Sequence, residues 1–149
     1  MKRSYFYSRI DQFITNDKNT ILGKLTDSET FDITSKTKLA WNTEIDLIKN
    51  AVNGFEGHIH LEFKVPRMGK RVDAILIIKN IIFLIEFKIG ANSFESTSIT
   101  QLIDYVLDMK NFHEGSHDQI ICPVLVANKS NNLINEFNLS ADKIFDPIK

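Results

Sequence analysis

A single cysteine, Cys122, is all the chain carries, so no intramolecular disulfide can form. It sits inside the apolar run Ile120-Ile121-Cys122-Pro123-Val124-Leu125-Val126-Ala127 and reads as a small core residue rather than a nucleophile. No stretch approaches the roughly 18 apolar residues of a membrane span. The opening Met1-Lys2-Arg3-Ser4-Tyr5 is not followed by the apolar core of a signal peptide. The expectation is a soluble, cytoplasmic protein with no membrane partner. Charge is not in surplus either: 18 Lys and Arg against 19 Asp and Glu leave a net −1. No global positive field therefore points to nucleic acid, and any such binding must use a local basic edge. Internal repeats, low-complexity runs and Pro- or Gly-rich linkers are missing too. What is present is material for a core: 43% hydrophobic residues, eleven Phe among them, in 149 residues. That suits one domain over residues 1–149, of α/β or α+β class.

The pattern of apolar positions gives an element order. Tyr5, Phe6, Ile10, Phe13 and Ile14 suggest a short leading helix over residues 3–15. Thr34-Ser35 is an N-cap signal, opening a helix that runs to about Val52 and closes at Asn53-Gly54. Ile59 to Val65 reads as a strand stopped by Pro66, and Met68-Gly69-Lys70 turns the chain. Val72 to Ile78 and Ile81 to Ile89 are two more strands, joined by Lys79-Asn80. Ser96 to Phe112 is a second helix and Ile120 to Ala127 a buried strand. The tail from Asn128 is polar, with a weak apolar pattern at Leu133, Ile134 and Phe137. Helix, three-strand meander, helix, strand implies an α/β fold with a mixed central sheet flanked by helices.

Some charged residues break this pattern. In Ile81-Ile82-Phe83-Leu84-Ile85-Glu86-Phe87-Lys88-Ile89 the odd positions form one apolar face, so Glu86 and Lys88 share the other with Ile82 and Leu84. A carboxylate and an ammonium on such a strand are costly unless paired or used. A two-residue turn at Lys79-Asn80 pairs Ile78 with Ile81 and sets Asp73 opposite Glu86. Like charges facing each other across strands repel, and two carboxylates so placed suit a shared Mg²⁺ or Mn²⁺, with Lys88 within reach of the same reacting group. At about 100° per residue, Glu44 lies inside the apolar stripe of Trp41, Ile45, Ile48 and Val52, as a third acidic group reaching that centre would. On the second helix Gln101 and Tyr105, four apart, share a face.

Taken together, Arg71-Val72-Asp73, Glu86-Phe87-Lys88, Glu44 and Gln101-Leu102-Ile103-Asp104-Tyr105 resemble the PD-(D/E)xK nuclease superfamily, in particular its RecB-like branch with a Q-x-x-x-Y helix motif. The resemblance covers a core of about residues 35–127 and implies a restriction-endonuclease-like fold. More narrowly, residues 59–127 resemble the domain that precedes helicase modules in bacterial nuclease-helicase proteins. No Walker-type phosphate loop follows, so a helicase would be a separate partner or a missing C-terminal module. The resemblance implies an enzyme that hydrolyses phosphodiester bonds of nucleic acid, DNA being the expected substrate, with a homodimer where both strands are cut. Its metal would be held by Asp73, Glu86, Glu44 and the carbonyl of Phe87, with Lys88 acting on the attacking water and Gln101 and Tyr105 supporting the site. The basic turn Arg67, Lys70 and Arg71 is a candidate phosphate-contact edge.

Two strings are read as decoys. Glu62-Phe63-Lys64 is a second E-x-K, but it precedes Asp73 on another strand and reads as a solvent face. His113-Glu114-Gly115-Ser116-His117 matches the zinc-protease string H-E-x-x-H, which needs both His on one helical turn. Gly115-Ser116 interrupts that turn, which leaves a zinc metalloprotease as a remote alternative. The nearer alternative is a catalytically silent nucleic-acid-binding or assembly module on the same fold.

Overall fold

The β-branched and aromatic residues of positions 58–88 build a three-strand meander around which the rest of the chain is arranged. The computed structural model describes residues 3–30, 32–91 and 93–128. Among them the strands are β1 (Ser4–Arg9), β2 (His58–Lys64), β3 (Arg71–Ile78), β4 (Ile81–Lys88) and β5 (Ile120–Ala127). They form one mixed sheet in the order β1-β2-β3-β4-β5, antiparallel throughout except for the parallel pairing of β4 with β5. The helices are α1 (Ile10–Thr15), α2 (Lys18–Ser28), α3 (Ser35–Val52) and α4 (Ser96–Phe112). A parallel neighbour needs a crossover, and α4 supplies it.

Helices cover both faces of the sheet. Ile10 and Phe13 of α1, Ile21 and Leu25 of α2, and Trp41, Ile45, Ile48 and Val52 of α3 pack on Ile59, Leu61, Ala74, Leu76, Ile85 and Phe87. On the opposite face Leu102, Tyr105 and Met109 of α4 pack on Phe63, Val72, Ile75, Ile82, Leu84, Ile121 and Leu125. Each Leu, Ile or Phe so buried contributes about 1.5–3 kcal/mol. The start of α3 is set as the sequence signals, by Thr34 Oγ1 accepting the backbone N–H of Thr37 at 3.2 Å. After its last turn comes Gly54, at φ 91°.

The meander, the crossover helix and β5 follow the expected order, and the expected bounds of α3, α4 and β5 match to the residue. The N-terminal segment does not. Residues 3–15 are not one helix: residues 4–9 are β1, and α1 begins only at Ile10. The aromatic run Tyr5-Phe6-Tyr7 favours extended chain, and β1 pairs with the edge of β2 that would otherwise stand open. Helix α2 has no counterpart among the expected elements; its apolar residues Ile21, Leu22 and Leu25 make too short a pattern to read without the core they join. The tail pattern at Leu133, Ile134 and Phe137 lies outside the described residues. Among the described residues, no helix is long and apolar enough to cross a membrane.

Candidate metal centre

The β3–β4 ladder runs from Ile78↔Ile81 to Ala74↔Ile85, the register that sets Asp73 opposite Glu86. At that next row the side chains take over from the backbone. The Asp73 N–H donates to Glu86 Oε1 at 2.9 Å, and the Phe87 N–H donates to Asp73 Oδ2 at 2.8 Å. Both bonds are charge-assisted and favour the ionised carboxylates. Burial outweighs them. Asp73 is pushed up to about 6 by burial, against the Phe87 N–H and the charge of Lys88. Glu86 rises to about 8, through burial first and Asp73 second, again with Lys88 opposing.

Strand β2 brings in a residue that the sequence reading discarded. Leu61↔Ala74 and Phe63↔Val72 are partners, so Glu62 lies between them, opposite Asp73. Strand residues two apart share a face, yet Ile59 and Leu61 pack beneath α3 while Phe63 and Val65 pack beneath α4. The exchange happens at Glu62, whose φ of 53° is left-handed. It happens in β3 as well, at Asp73: Val72 belongs to the α4 face and Ala74 to the α3 face. A non-glycine residue held at such a φ costs about 1–3 kcal/mol, and a break of this kind re-aims a side chain as a bulge does. Here it carries Glu62 inward, where Trp41 Nε1 donates to its Oε1 at 3.1 Å. Burial, then Asp73, lift Glu62 to about 7, against the Trp41 bond and Arg71. The reading of Glu62-Phe63-Lys64 as a solvent face is therefore overturned for Glu62.

From α3 comes Glu44, 8% exposed within the apolar stripe. One carboxylate oxygen each from Glu44, Glu62 and Asp73 lies within 4.8 Å of the other two. Burial, then the charges of Asp73, Glu62 and Glu86, push Glu44 up to about 9. Four carboxyls this close, two buried and two half-buried, cannot all ionise without a counter-charge. An all-oxygen donor set of this kind fits a hard divalent cation such as Mg²⁺ or Mn²⁺.

Helix α4 closes the other side. The phenol of Tyr105 is buried and pushed up to about 12, by burial and then by Glu86, Asp73 and Glu62. One turn earlier Gln101 lines a cleft of about 610 Å³ together with Lys88, Lys70 and Met68. Of the basic turn, only Lys70 faces this cleft. The Arg67 guanidinium stacks 4.0 Å above the Phe112 ring and that of Arg71 lies 4.3 Å from the Tyr5 ring. The turn is sharp: the Met68 N–H donates to the Pro66 carbonyl at 2.8 Å, with Arg67 at φ 66°.

The H-E-x-x-H string does not form a helical metal pair. Its first member, His113, is the C-cap of α4, and Glu114–Ser116 form a 3-10 turn. His113 Nδ1 shares a 2.8 Å hydrogen bond with Ser116 Oγ, and His117 Nδ1 pairs with the Lys110 carbonyl.

Searches against family models, curated proteins and solved structures find no match to this chain.

Proposed function

We propose that the chain is a divalent-metal-dependent nuclease of the PD-(D/E)xK type on a restriction-endonuclease-like fold, with DNA as its substrate. The observation that carries this reading is the meeting of Asp73, Glu86 and Glu44 beside Lys88, which itself lines a cleft with Lys70 and Gln101. Glu44, Asp73, Glu86 and the carbonyl of Phe87 would hold Mg²⁺ or Mn²⁺. Such an ion supplies a water of lowered pKa and a counter-charge for the phosphate. Lys88 holds the attacking water by hydrogen bond and offsets charge that builds on the phosphate oxygens. Lys70 offers a charge to a backbone phosphate entering the cleft, with Arg67 and Arg71 at the outer edge. Gln101, on the α4 wall of the cleft, limits how the phosphate can sit, and Tyr105, buried one turn on, supports the carboxylates. A cytoplasmic setting beside a helicase partner, and a homodimer for cutting both strands, go with this reading.

The test is cleavage of single- and double-stranded DNA and RNA with Mg²⁺ or Mn²⁺, using wild type, Asp73→Asn and Glu86→Gln. The expected result is cleavage by wild type that EDTA and either substitution abolish. Equal activity in all three proteins would identify a contaminant and refute the proposal. Binding without cleavage would favour the silent-module reading instead.

A further inference from the structure

We propose that Glu62 is a cation ligand, and that Glu44, Glu62 and Asp73 together hold one divalent cation. The inference rests on the metal-dependent reading above and adds to it a residue that lies outside the E-x-K pattern. Strand pairing by itself points to an ion between Asp73 and Glu86. The carboxylates that converge are a different set: Glu44, Glu62 and Asp73 each place an oxygen within 4.8 Å of the other two. That spacing suits three oxygens around a hard ion with bonds of about 2.0–2.6 Å. Glu86 is outside this trio and stands beside it as the further ligand of the reading above, its Oε1 accepting the Asp73 N–H.

Glu44 gives an independent pointer to a ligand. It is 8% exposed, it faces the other two carboxylates, and among the described residues no hydrogen bond or ion pair reaches it. A carboxyl in that position either keeps its proton or ionises against a cation. The side-chain cations that act on the four carboxylates are Arg71 and Lys88, and neither makes a salt bridge with Glu44. Glu62 is also held for the task. The indole of Trp41 donates to its Oε1, which orients the carboxylate, and the left-handed backbone at Glu62 turns it inward.

The test is Mn²⁺ binding by calorimetry to wild type, Glu62→Gln, Glu86→Gln and the exposed control Glu56→Gln. It is paired with the emission of Trp41, the sole tryptophan, during titration with Mg²⁺. Glutamine keeps an oxygen for the indole N–H, so the fold has no reason to change. The expected result is Mn²⁺ affinity weakened roughly 10–100-fold in Glu62→Gln and unchanged in Glu56→Gln. Mg²⁺ should shift Trp41 emission in wild type and leave Glu62→Gln unaffected. Wild-type affinity in Glu62→Gln, with affinity lost in Glu86→Gln, overturns the role of Glu62 and leaves the metal-dependent reading standing. A wild-type protein that takes up no Mn²⁺ overturns both. If Glu62→Gln fails to fold, the wild-type titration decides: emission unmoved at Mg²⁺ levels that raise the melting temperature places the ion away from Glu62.

Discussion

Raising the pH of the metal-free protein perturbs the carboxylate cluster directly and needs no substrate. Glu44 and Glu86 ionise near 9 and 8 in the folded chain, against 4.5 ordinarily. Below that ordinary value both states carry the protons, and the folded state loses nothing. As pH climbs towards the folded values, the unfolded chain releases protons that the folded chain retains, so stability falls. The informative window opens at pH 6.5, because His60 acts in the opposite direction below it: burial, then His58 and His113, push its ring down to about 4 from 6.5. Between pH 6.5 and about 8.5, one proton retained by the folded cluster amounts to about 2–3 kcal/mol. For a chain of this size that is roughly 5–10 °C of melting temperature. The assay is thermal unfolding in EDTA at the two pH values, followed by circular dichroism and Trp41 fluorescence. Mg²⁺ or Mn²⁺ at about 100 times its Kd adds about 2.7 kcal/mol. That gain should be larger at the higher pH, since the ligands must be deprotonated to bind. A melting temperature in EDTA that is flat or rises over this window would refute the argument, because it would mean the carboxyls are solvated and ionised without a cation. Equal shifts by the ion at both pH values would refute the proton competition alone.

Three further outcomes follow from other parts of the molecule. Gly57→Ala should destabilise by about 2–3 kcal/mol in urea unfolding, because a Cβ there would stand 2.1 Å from the Ile77 carbonyl oxygen at a φ of 155°; unchanged stability would show that β3 yields easily. His60→Leu should flatten the loss of stability as pH falls from 6.5 towards 4, at the expense of the 3.0 Å bond from Ser4 Oγ to His60 Nδ1; an acid limb as steep as that of wild type would locate it elsewhere. Lys88→Met should lower metal-dependent cleavage roughly 10²–10³-fold while leaving Mn²⁺ affinity equal or tighter, because it removes a positive charge beside the carboxylates; weaker Mn²⁺ binding would contradict that placement.

Local chemistry was enough to read the hairpin, α3 and α4. Alternation along β3 and β4 and the two-residue turn at Lys79-Asn80 specify that Asp73 faces Glu86, since a slip of one residue would turn Ile and Phe outward. The helical period specifies that Glu44 points to the core. Those are short-range relations, and each can be counted along the chain. Glu62 could not be found that way. Its inward aim depends on a left-handed backbone at one strand residue and on an indole from another element, Trp41, arriving to bond it. By alternation alone Glu62 falls opposite Ile59, Leu61 and Phe63, on what looks like a solvent face, and only the exchange of faces in β2 and β3 brings it beside Asp73. The same holds for the basic turn: its charges are plain in the sequence, but stacking on Phe112 and Tyr5 decides that Lys70, rather than Arg67 or Arg71, faces the cleft. It holds for β1 too, where a segment with mixed local preference became a strand because β2 had an open edge to pair with. Periodicity and turn chemistry thus determined which residues are charged where apolar ones belong. Long-range packing decided which of those charges meet, because burial and repulsion act on distances that no spacing along the chain records.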